Sequence, residues 1–276
     1  MFGIAQKLAA TWRPASGTTP GTADGWTSAS KGTVSHPTLA TTNFKTQSRR
    51  TLWKSAGSAN AVGGLVLGSM TSPVSGVCWR GSAAGNGGFH LMARFSLAAN
   101  PSGARAFVGL SALFTNICAV EPSSVANTIG MGFDSTDSNT GNWYFIRKDG
   151  STLQKIALDG TAGSGAGAAP RNATDVYDLL IHADANASDL LVRILNVTTG
   201  AVLYNGQVST FLPTNTSFLY VHAQAGRGGR ARRHSSSCLR SISVEPLSRI
   251  PVSGSHRKGF SNTRPSLLLA PLAWST

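Results

Sequence analysis

The sequence predicts an all-β protein, a two-sheet antiparallel β-sandwich of jelly-roll type with a poorly ordered N-terminal arm and C-terminal tail. Short apolar or alternating runs are separated by Gly, Asn and Pro, which is typical of strands joined by turns. No stretch of about 12 or more residues keeps the 3.6-residue periodicity and the caps of a helix. Roughly ten such runs within about 150 residues indicate two packed sheets.

The chain is predicted to have three parts, and the first is residues 1–74. Between about residue 11 and residue 48, Thr, Ser, Gly, Ala and Pro dominate and show little periodicity. A segment with no apolar face to bury stays mobile or leans on a neighbour, so we expect an attachment arm or linker here. The sandwich is expected to span residues 75–225. Its first strands are predicted from the short runs at 78–81, 88–95 and 105–110.

The clearest local prediction is a β-hairpin. Residues 142–148 and 152–158 alternate, and Asp149 and Gly150 between them accept the positive φ angles of a type I′ turn. More strands follow, and turns rich in Asp, Asn, Thr and Gly join the first three of them into a meander. These later strands are predicted at 176–182, 190–195, 201–204 and 217–222.

The formal net charge of +13 is concentrated at the two ends of the chain. Residues 1–120 hold ten Lys/Arg and one Asp/Glu, a charge of +9. Residues 121–225 hold five Lys/Arg and nine Asp/Glu, a charge of −4, and residues 226–276 hold nine Lys/Arg and one Asp/Glu, a charge of +8. Because the segment that most resembles a folded domain is acidic, the charge profile argues against nucleic acid as a partner.

The Arg-rich tail, residues 226–276, has three interpretations that the sequence leaves open. It is a genuine tail that binds phosphates, a disordered and incidental extension, or the product of a reading frame that shifts shortly after Ala225. The third interpretation follows from composition, because GC-rich codons read out of frame yield an excess of Arg, Ser, Pro and Ala. Residues 239–245 alternate like a strand, so a frame junction could lie on either side of them.

Composition and spacing predict no membrane span, no secretory signal and no metal centre. No window approaches the roughly 18 apolar residues that cross a bilayer. Residues 1–10 have no apolar core followed by a cleavage site, so we expect synthesis in the cytoplasm. Cys78, Cys118 and Cys238 are widely separated and fit no ligand spacing. We therefore expect no cofactor and no bound metal.

The sequence also argues against an enzyme. Retaining glycoside hydrolysis needs two carboxylates about 5 Å apart, but the only two Glu are Glu121, in a loop before a proline, and Glu245, in the tail. Most Asp residues fall at predicted turns, where they bond to the local backbone. His90, His182 and His222 lie far apart in predicted strands, and no Gly-x-Ser-x-Gly nucleophile motif occurs.

One polar cluster is a candidate ligand-binding site. Carboxylate and amide oxygens suit Ca²⁺ or the hydroxyls of a sugar, and an adjacent Trp ring can stack on the face of a sugar. The alternative is an Asx-rich connection between two strands, with the Trp in the core. Both interpretations stay open at this point. The residues are Asp134, Asp137, Asn139, Asn142 and Trp143.

Six motifs of the central segment also occur in an informative order. They are Trp-Arg-Gly-Ser at 79–82, Met-Ala-Arg-Phe at 92–95, Phe-Val-Gly-Leu at 107–110, Ile-Gly-Met-Gly-Phe-Asp at 129–134, Asn-Trp-Tyr-Phe-Ile at 142–146 and Asp-Val-Tyr-Asp-Leu at 175–179. This order resembles tailed-bacteriophage structural proteins, in particular a tail or tail-fibre domain with a concanavalin A-like lectin/glucanase sandwich. The resemblance covers residues 75–225, about half of the chain.

The resemblance implies a structural protein of a phage or prophage virion that acts by assembly and surface contact. It implies contacts with other virion proteins, a homo-oligomer that is a trimer by analogy, and location in the virion after synthesis in the cytoplasm of the host bacterium. The alternative function is a carbohydrate-binding module that recognises a bacterial surface glycan. Residues 227–233 depart from the family, because they are Arg-rich where the family has a Gly/Thr-rich turn, and this favours a frame change.

Overall fold

The computed structural model describes residues 10–13, 22–24, 28–35, 51–56, 58–68, 78–138, 140–161, 167–228 and 236–245. Within these ranges the chain forms sixteen β-strands and two 3₁₀ turns, at Ile117–Ala119 and Pro122–Ser124. The described part of the chain contains no helix of the length and apolarity that a membrane crossing requires. The strands are β1 (Ala10–Arg13), β2 (Thr22–Asp24), β3 (Ser28–Lys31), β4 (Thr33–Ser35), β5 (Thr51–Lys54), β6 (Val62–Leu67), β7 (Phe89–Ala99), β8 (Ala104–Ser111), β9 (Thr128–Phe133), β10 (Tyr144–Lys148), β11 (Leu153–Ala157), β12 (Tyr177–Ala183), β13 (Leu190–Asn196), β14 (Ala201–Val208), β15 (Tyr220–Arg227) and β16 (Ser236–Glu245).

The strands form two sheets. The first sheet has the order β14-β13-β12-β7-β16-β1-β2, and β5 pairs with both β16 and β4 in it. The second sheet has the order β11-β10-β9-β8-β15-β6-β3. All strand pairs in the described ranges are antiparallel. The predicted all-β, two-sheet antiparallel sandwich is therefore confirmed.

Four aromatic side chains join the two sheets in the central core. The ring of Trp143, which directly precedes β10 in the second sheet, has its centroid 5.0 Å from that of Phe133 on β9. On the first sheet it lies 5.3 Å from Phe95 of β7 and 6.0 Å from Tyr177 of β12. All four side chains are buried. Edge-to-face pairs of this kind contribute about 0.5–1.5 kcal/mol each beyond the burial of their area.

The other face of the second sheet carries a smaller apolar cluster, which contains Phe107, Ile117 and Cys118. Phe107 and Val108 are neighbours on β8, so they point to opposite faces, and Val108 belongs to the central core. The Phe107 ring extends over Gly130 of β9, where an added Cβ would be 2.9 Å from Phe107 Cζ and 2.3 Å from the Val108 carbonyl oxygen. Glycine at this position therefore lets the ring pack directly on the strand backbone.

The predicted hairpin is present as β10 and β11, but its turn differs from the prediction. The strands are joined by a four-residue loop, 149–152, and neither Asp149 nor Gly150 has a positive φ angle, so the turn is not type I′. The Asp149 carboxylate instead accepts hydrogen bonds of 2.7 Å from the backbone N–H groups of Ser151 and Thr152. These bonds hold the pKa of Asp149 below its usual range.

The predicted meander is confirmed, since β12, β13 and β14 are consecutive neighbours in the first sheet. Two of the later strands extend beyond their predicted ends. The last strand of the meander continues to Val208, and β15 continues to Arg227. Backbone pairing continues through polar residues such as Asn205 and Gln207 because ladder hydrogen bonds use no side-chain atoms.

Segments that the sequence predicts to flank the sandwich supply strands to it. β5 and β6 fall within residues 1–74, and β16 falls within residues 226–276. β16 lies between β7 and β1, which is an interior position of the first sheet. The sandwich thus extends beyond the predicted limits of 75 and 225, because its pairings join residues that are far apart in the sequence. Most of the predicted arm and tail lies outside the described residues.

Candidate functional site

The predicted polar cluster is built around a lysine. Asp134 directly follows β9, Asp137 lies in the next turn, and Lys155 is in β11. The Lys155 Nζ atom donates to Asp134 Oδ2 at 2.6 Å and to the two oxygens of Asp137 at 2.8 and 2.7 Å. Backbone N–H groups complete the arrangement, because Asp134 Oδ1 accepts from Ser123 at 3.0 Å and Asp137 Oδ2 accepts from Asp134 at 2.7 Å. Both carboxylates therefore meet on one ammonium group.

This cluster contains a positive partner for both of its carboxylates. Burial by itself lowers the pKa of Lys155, but the hydrogen bonds and charges of Asp134 and Asp137 outweigh it and raise that pKa above its usual value. The Nζ atom also lies 4.5 Å from the centroid of the Tyr144 ring, a cation–π contact. Since the ammonium occupies the point where two carboxylates would bind Ca²⁺, the arrangement does not fit that ion. Among the described side chains, no group of three or more His, Cys, Asp or Glu is arranged to hold a metal.

Of the other three predicted site residues, the two that the structure describes do not join the cluster. Trp143 is 1% exposed in the central core, which corrects the prediction that its ring stacks on a sugar. Its large apolar area is buried between the two sheets, as in the alternative interpretation. Asn142 is half-buried, and its backbone forms an isolated bridge with Pro170. Asn139 lies outside the described residues.

Glu121 has a structural role in this fold. Its carboxylate accepts a hydrogen bond of 2.7 Å from the Ser135 backbone N–H, a second bond from the Ser135 hydroxyl, and a 3.4 Å contact from Arg105. Arg105 also donates to Asn60 Oδ1 at 2.6 Å and to the Arg227 carbonyl oxygen at 2.9 Å. The network joins the start of β8 to the end of β15. The absence of enzymatic activity stays a prediction of the sequence.

His222 is buried in β15 and faces the smaller apolar cluster. Its Nε2 atom lies 2.8 Å from the Leu113 carbonyl oxygen, which makes Nε2 the donor. Burial lowers the pKa of His222 to about 4, although the bond to Leu113 acts in the opposite direction. The imidazole is therefore neutral at pH 7 and ties the loop before the first 3₁₀ turn to the sheet.

An aromatic pair that the sequence prediction did not include lies at one end of the sandwich. Cys78 and Leu219 form an isolated antiparallel bridge, and the adjoining residues Trp79 and Phe218 have ring centroids 6.0 Å apart. Trp79 is half-buried and Phe218 is 42% exposed. We name these two residues the aromatic pair. A large ring exposed among loops is typical of a contact surface.

Arg80 holds three loops around the aromatic pair. One Nη of Arg80 donates to the Pro213 carbonyl oxygen at 2.7 Å and the other donates to the Ala187 carbonyl oxygen at 2.6 Å. The Arg80 carbonyl oxygen accepts from the Asn186 N–H at 2.9 Å. The rings therefore sit on a connected support, which limits the entropy that a ligand must remove. The three loops are residues 78–88, 184–189 and 209–219.

The sequence gives only a weak signal for the aromatic pair. Trp79 and Phe218 lie at opposite ends of the predicted domain, so nothing local indicates that they meet. The available signal is the alternation of residues 217–222, in which Phe218 takes an outward position next to the core residue Leu219. An apolar ring at an outward strand position is a candidate for binding.

Comparison with known proteins identifies the fold. No protein-family model matches the chain, and no curated protein matches its sequence. Among solved structures, a protein of unknown function from Shewanella oneidensis MR-1 is similar with a TM-score of 0.55 at 12% identity, over 89% of each chain. The seed lectin of Lotus tetragonolobus is similar with a TM-score of 0.50 at 12% identity, over 88% of this chain and 100% of the lectin.

At these identities the likeness concerns the fold alone, and the fold is the concanavalin A-like jelly-roll sandwich. The fold implied by the sequence resemblance is therefore confirmed. Neither of the two structures is described as a phage protein. The role in a phage tail or tail fibre, the contacts with virion proteins and the location in the virion stay predictions of the sequence.

Proposed function

We propose that this protein is a carbohydrate-binding β-sandwich and that the aromatic pair contacts the sugar. The observation that carries the proposal is the exposed Phe218 ring beside Trp79, on loops that Arg80 holds together. The fold supports it as an analogy, because a seed lectin has the same sandwich. The function that the sequence resemblance offered as its alternative thus becomes the leading one.

The chemistry of the surrounding loops suits a saccharide. One face of a sugar ring presents C–H groups that pack on an aromatic ring, while its hydroxyls need both donors and acceptors. The loops around the aromatic pair carry three exposed amide side chains, Asn86, Asn186 and Asn215. An amide both donates and accepts hydrogen bonds, so it can pair with a hydroxyl in either sense. We propose a bacterial surface glycan as the ligand class.

Binding of the full chain to an array of bacterial glycans tests the proposal. We expect the wild-type protein to bind a defined subset, and we expect Phe218→Ala to weaken that binding at least about tenfold, which corresponds to about 1.4 kcal/mol. The reason is that the substitution removes an exposed stacking ring and no core contact. Circular dichroism of the variant checks whether its fold is retained.

Val120→Ala is the matched control. Val120 is also apolar and 46% exposed, but it adjoins Glu121, whose network lies at the Arg227 end of β15, whereas Phe218 precedes the opposite end. This variant should bind as the wild type does. The proposal fails if the folded wild-type protein binds no glycan, or if Phe218→Ala and Val120→Ala weaken binding equally.

A further inference from the structure

Two histidines face each other across neighbouring strands of the first sheet. His90 on β7 and His182 on β12 are direct partners in the strand register. Their ring centroids lie 5.8 Å apart, with the rings at 62° to each other. Leu91 and Ile181, which adjoin them in sequence, are buried in the central core. Because strand side chains alternate, both imidazoles stand on the face of the sheet that is turned away from the core.

A carboxylate group lies beside His182. The Asp184 Oδ1 atom is 3.3 Å from His182 Nε2, and the side chain of Asp184 is 83% exposed. On the other side of β7, Glu245 of β16 is the register partner of His90. The register row across these three strands therefore reads His182, His90 and Glu245, and Asp184 directly follows β12, two residues after His182.

We propose that His90 and His182 bind a divalent transition-metal ion, Zn²⁺ or Cu²⁺, with Asp184 as a carboxylate ligand. Imidazole nitrogen is the ligand that these ions favour, and both also accept carboxylate oxygen. A zinc–nitrogen bond of about 2.0–2.1 Å places each imidazole centre roughly 3 Å from the metal, so two rings that ligate at a tetrahedral angle have centres about 5 Å apart. The observed 5.8 Å is close to this separation and slightly wider.

The pairing of β7 and β12 prepares the two imidazoles for this role. Both strands are interior strands of the sheet, so the hydrogen-bond ladder sets the distance between their backbones before an ion binds. Since three described side chains are not already arranged around one point, Asp184 turns toward the ion when it binds. Its high exposure leaves that movement unhindered. The site does not rest on the proposed sugar binding.

Metal titration of the full chain, without an affinity tag, tests the inference. Calorimetry with Zn²⁺ should show one ion per chain, and the EPR spectrum with Cu²⁺ should show coordination by two imidazole nitrogens. His90→Gln and His182→Gln should each weaken Zn²⁺ binding at least about tenfold, because each removes one of two nitrogen ligands. Asp184→Asn should weaken it by a smaller factor.

Leu191→Ala is the control in the same row. Leu191 of β13 is the register partner of His182 on the side opposite to β7, it is 54% exposed, and it offers no ligand atom. This variant should bind Zn²⁺ as the wild type does. If the wild-type chain binds no Zn²⁺ or Cu²⁺, or if the double variant H90Q/H182Q keeps the wild-type affinity, the inference is overturned.

Discussion

Lys155 takes the position of a bound cation between Asp134 and Asp137. Its ammonium group forms ion pairs with both carboxylates, and its single positive charge offsets one of their two negative charges, whereas Ca²⁺ would offset both. The sequence showed the two acids but not their partner, because Lys155 lies in the next hairpin and reaches them only when β9, β10 and β11 pair. A motif of acids alone therefore does not distinguish a metal site from an ion-pair cluster.

Lys155→Ala should lower the free energy of unfolding by about 3–5 kcal/mol, the usual cost of removing one partner from a largely buried ion pair. The substitution leaves two carboxylates close together without the ammonium group that pairs with both of them. Millimolar Ca²⁺ should then raise the melting temperature of the variant, and not that of the wild type, because only the variant offers an open oxygen site. Thermal denaturation with and without Ca²⁺ measures both effects.

Lys148→Ala controls for the loss of a lysine from the same hairpin. The Lys148 Nζ atom donates to the backbone carbonyl oxygen of Ser124 at 2.9 Å, so its removal leaves no carboxylate unpaired. We expect a change within about 1 kcal/mol and no response to Ca²⁺. Equal destabilisation by the two substitutions would contradict the assigned role of Lys155.

At the scale of the element, the strands follow from the local pattern, whereas the details of their contacts do not. The hairpin β10–β11 was predicted from its alternation and from the Asp149-Gly150 turn signal. Its actual loop is longer and is organised by the Asp149 carboxylate. Similarly, glycine usually weakens the interior of a strand, yet Gly130 in β9 leaves the space that the Phe107 ring occupies.

Gly130→Ala should destabilise the protein by about 2–3 kcal/mol, because the added methyl group would overlap the backbone of β8 and the ring of Phe107. The strand would have to move away from its neighbour or displace the ring, which would disturb the smaller apolar cluster. Urea denaturation measured by tryptophan fluorescence gives the difference in the free energy of unfolding.

Gly150→Ala is the matched control for this substitution. Gly150 lies in the β10–β11 loop, and a Cβ added there would meet no atom within 4 Å. Its φ angle is not in the left-handed region, so alanine is accepted without strain. The variant should differ from the wild type by less than about 0.5 kcal/mol. A similar loss at both positions would mean that the close approach of Phe107 to Gly130 does not determine stability.

At the scale of the whole molecule, the sandwich is closed by a strand from the Arg-rich tail. β16 pairs with β7 over most of its length and also with β1 and β5. The alternation of residues 239–245 therefore corresponds to an interior strand of the first sheet. The three interpretations of the tail remain open for residues 229–235 and 246–276, which lie outside the described residues.

Truncation after Gly228 should abolish soluble, cooperative folding. It removes β16 and leaves an edge of β7 without its hydrogen-bond partner, which exposes a strand that can pair with other chains. Truncation after Glu245 keeps β16, so the comparison isolates the contribution of that strand. Soluble yield and thermal denaturation of both proteins measure it. A chain ending at Gly228 that folds as stably as the one ending at Glu245 would show that β16 is dispensable.

The candidate sites were less accessible to sequence reasoning than the fold. Asp134 and Asp137 are three residues apart in one turn, so the sequence alone predicts that they lie close together, and a hydrogen bond joins them. The burial of Trp143 was not decided by its neighbours in sequence, since the same alternation fits a core ring and a surface ring. The aromatic pair and the paired His90 and His182 depend on contacts between strands that are distant in the chain.

The sequence by itself determined that this chain is an all-β sandwich, that it has a hairpin near Asp149, and that its middle is acidic between basic flanks. These are local or additive properties, because strand alternation has a period of two and charge is a sum over residues. Only the tertiary structure decided that β16 lies inside the first sheet, that Trp143 is in the core and that Phe218 is exposed beside Trp79. Which face a residue meets, and which strand lies beside it, depends on pairing across the whole chain.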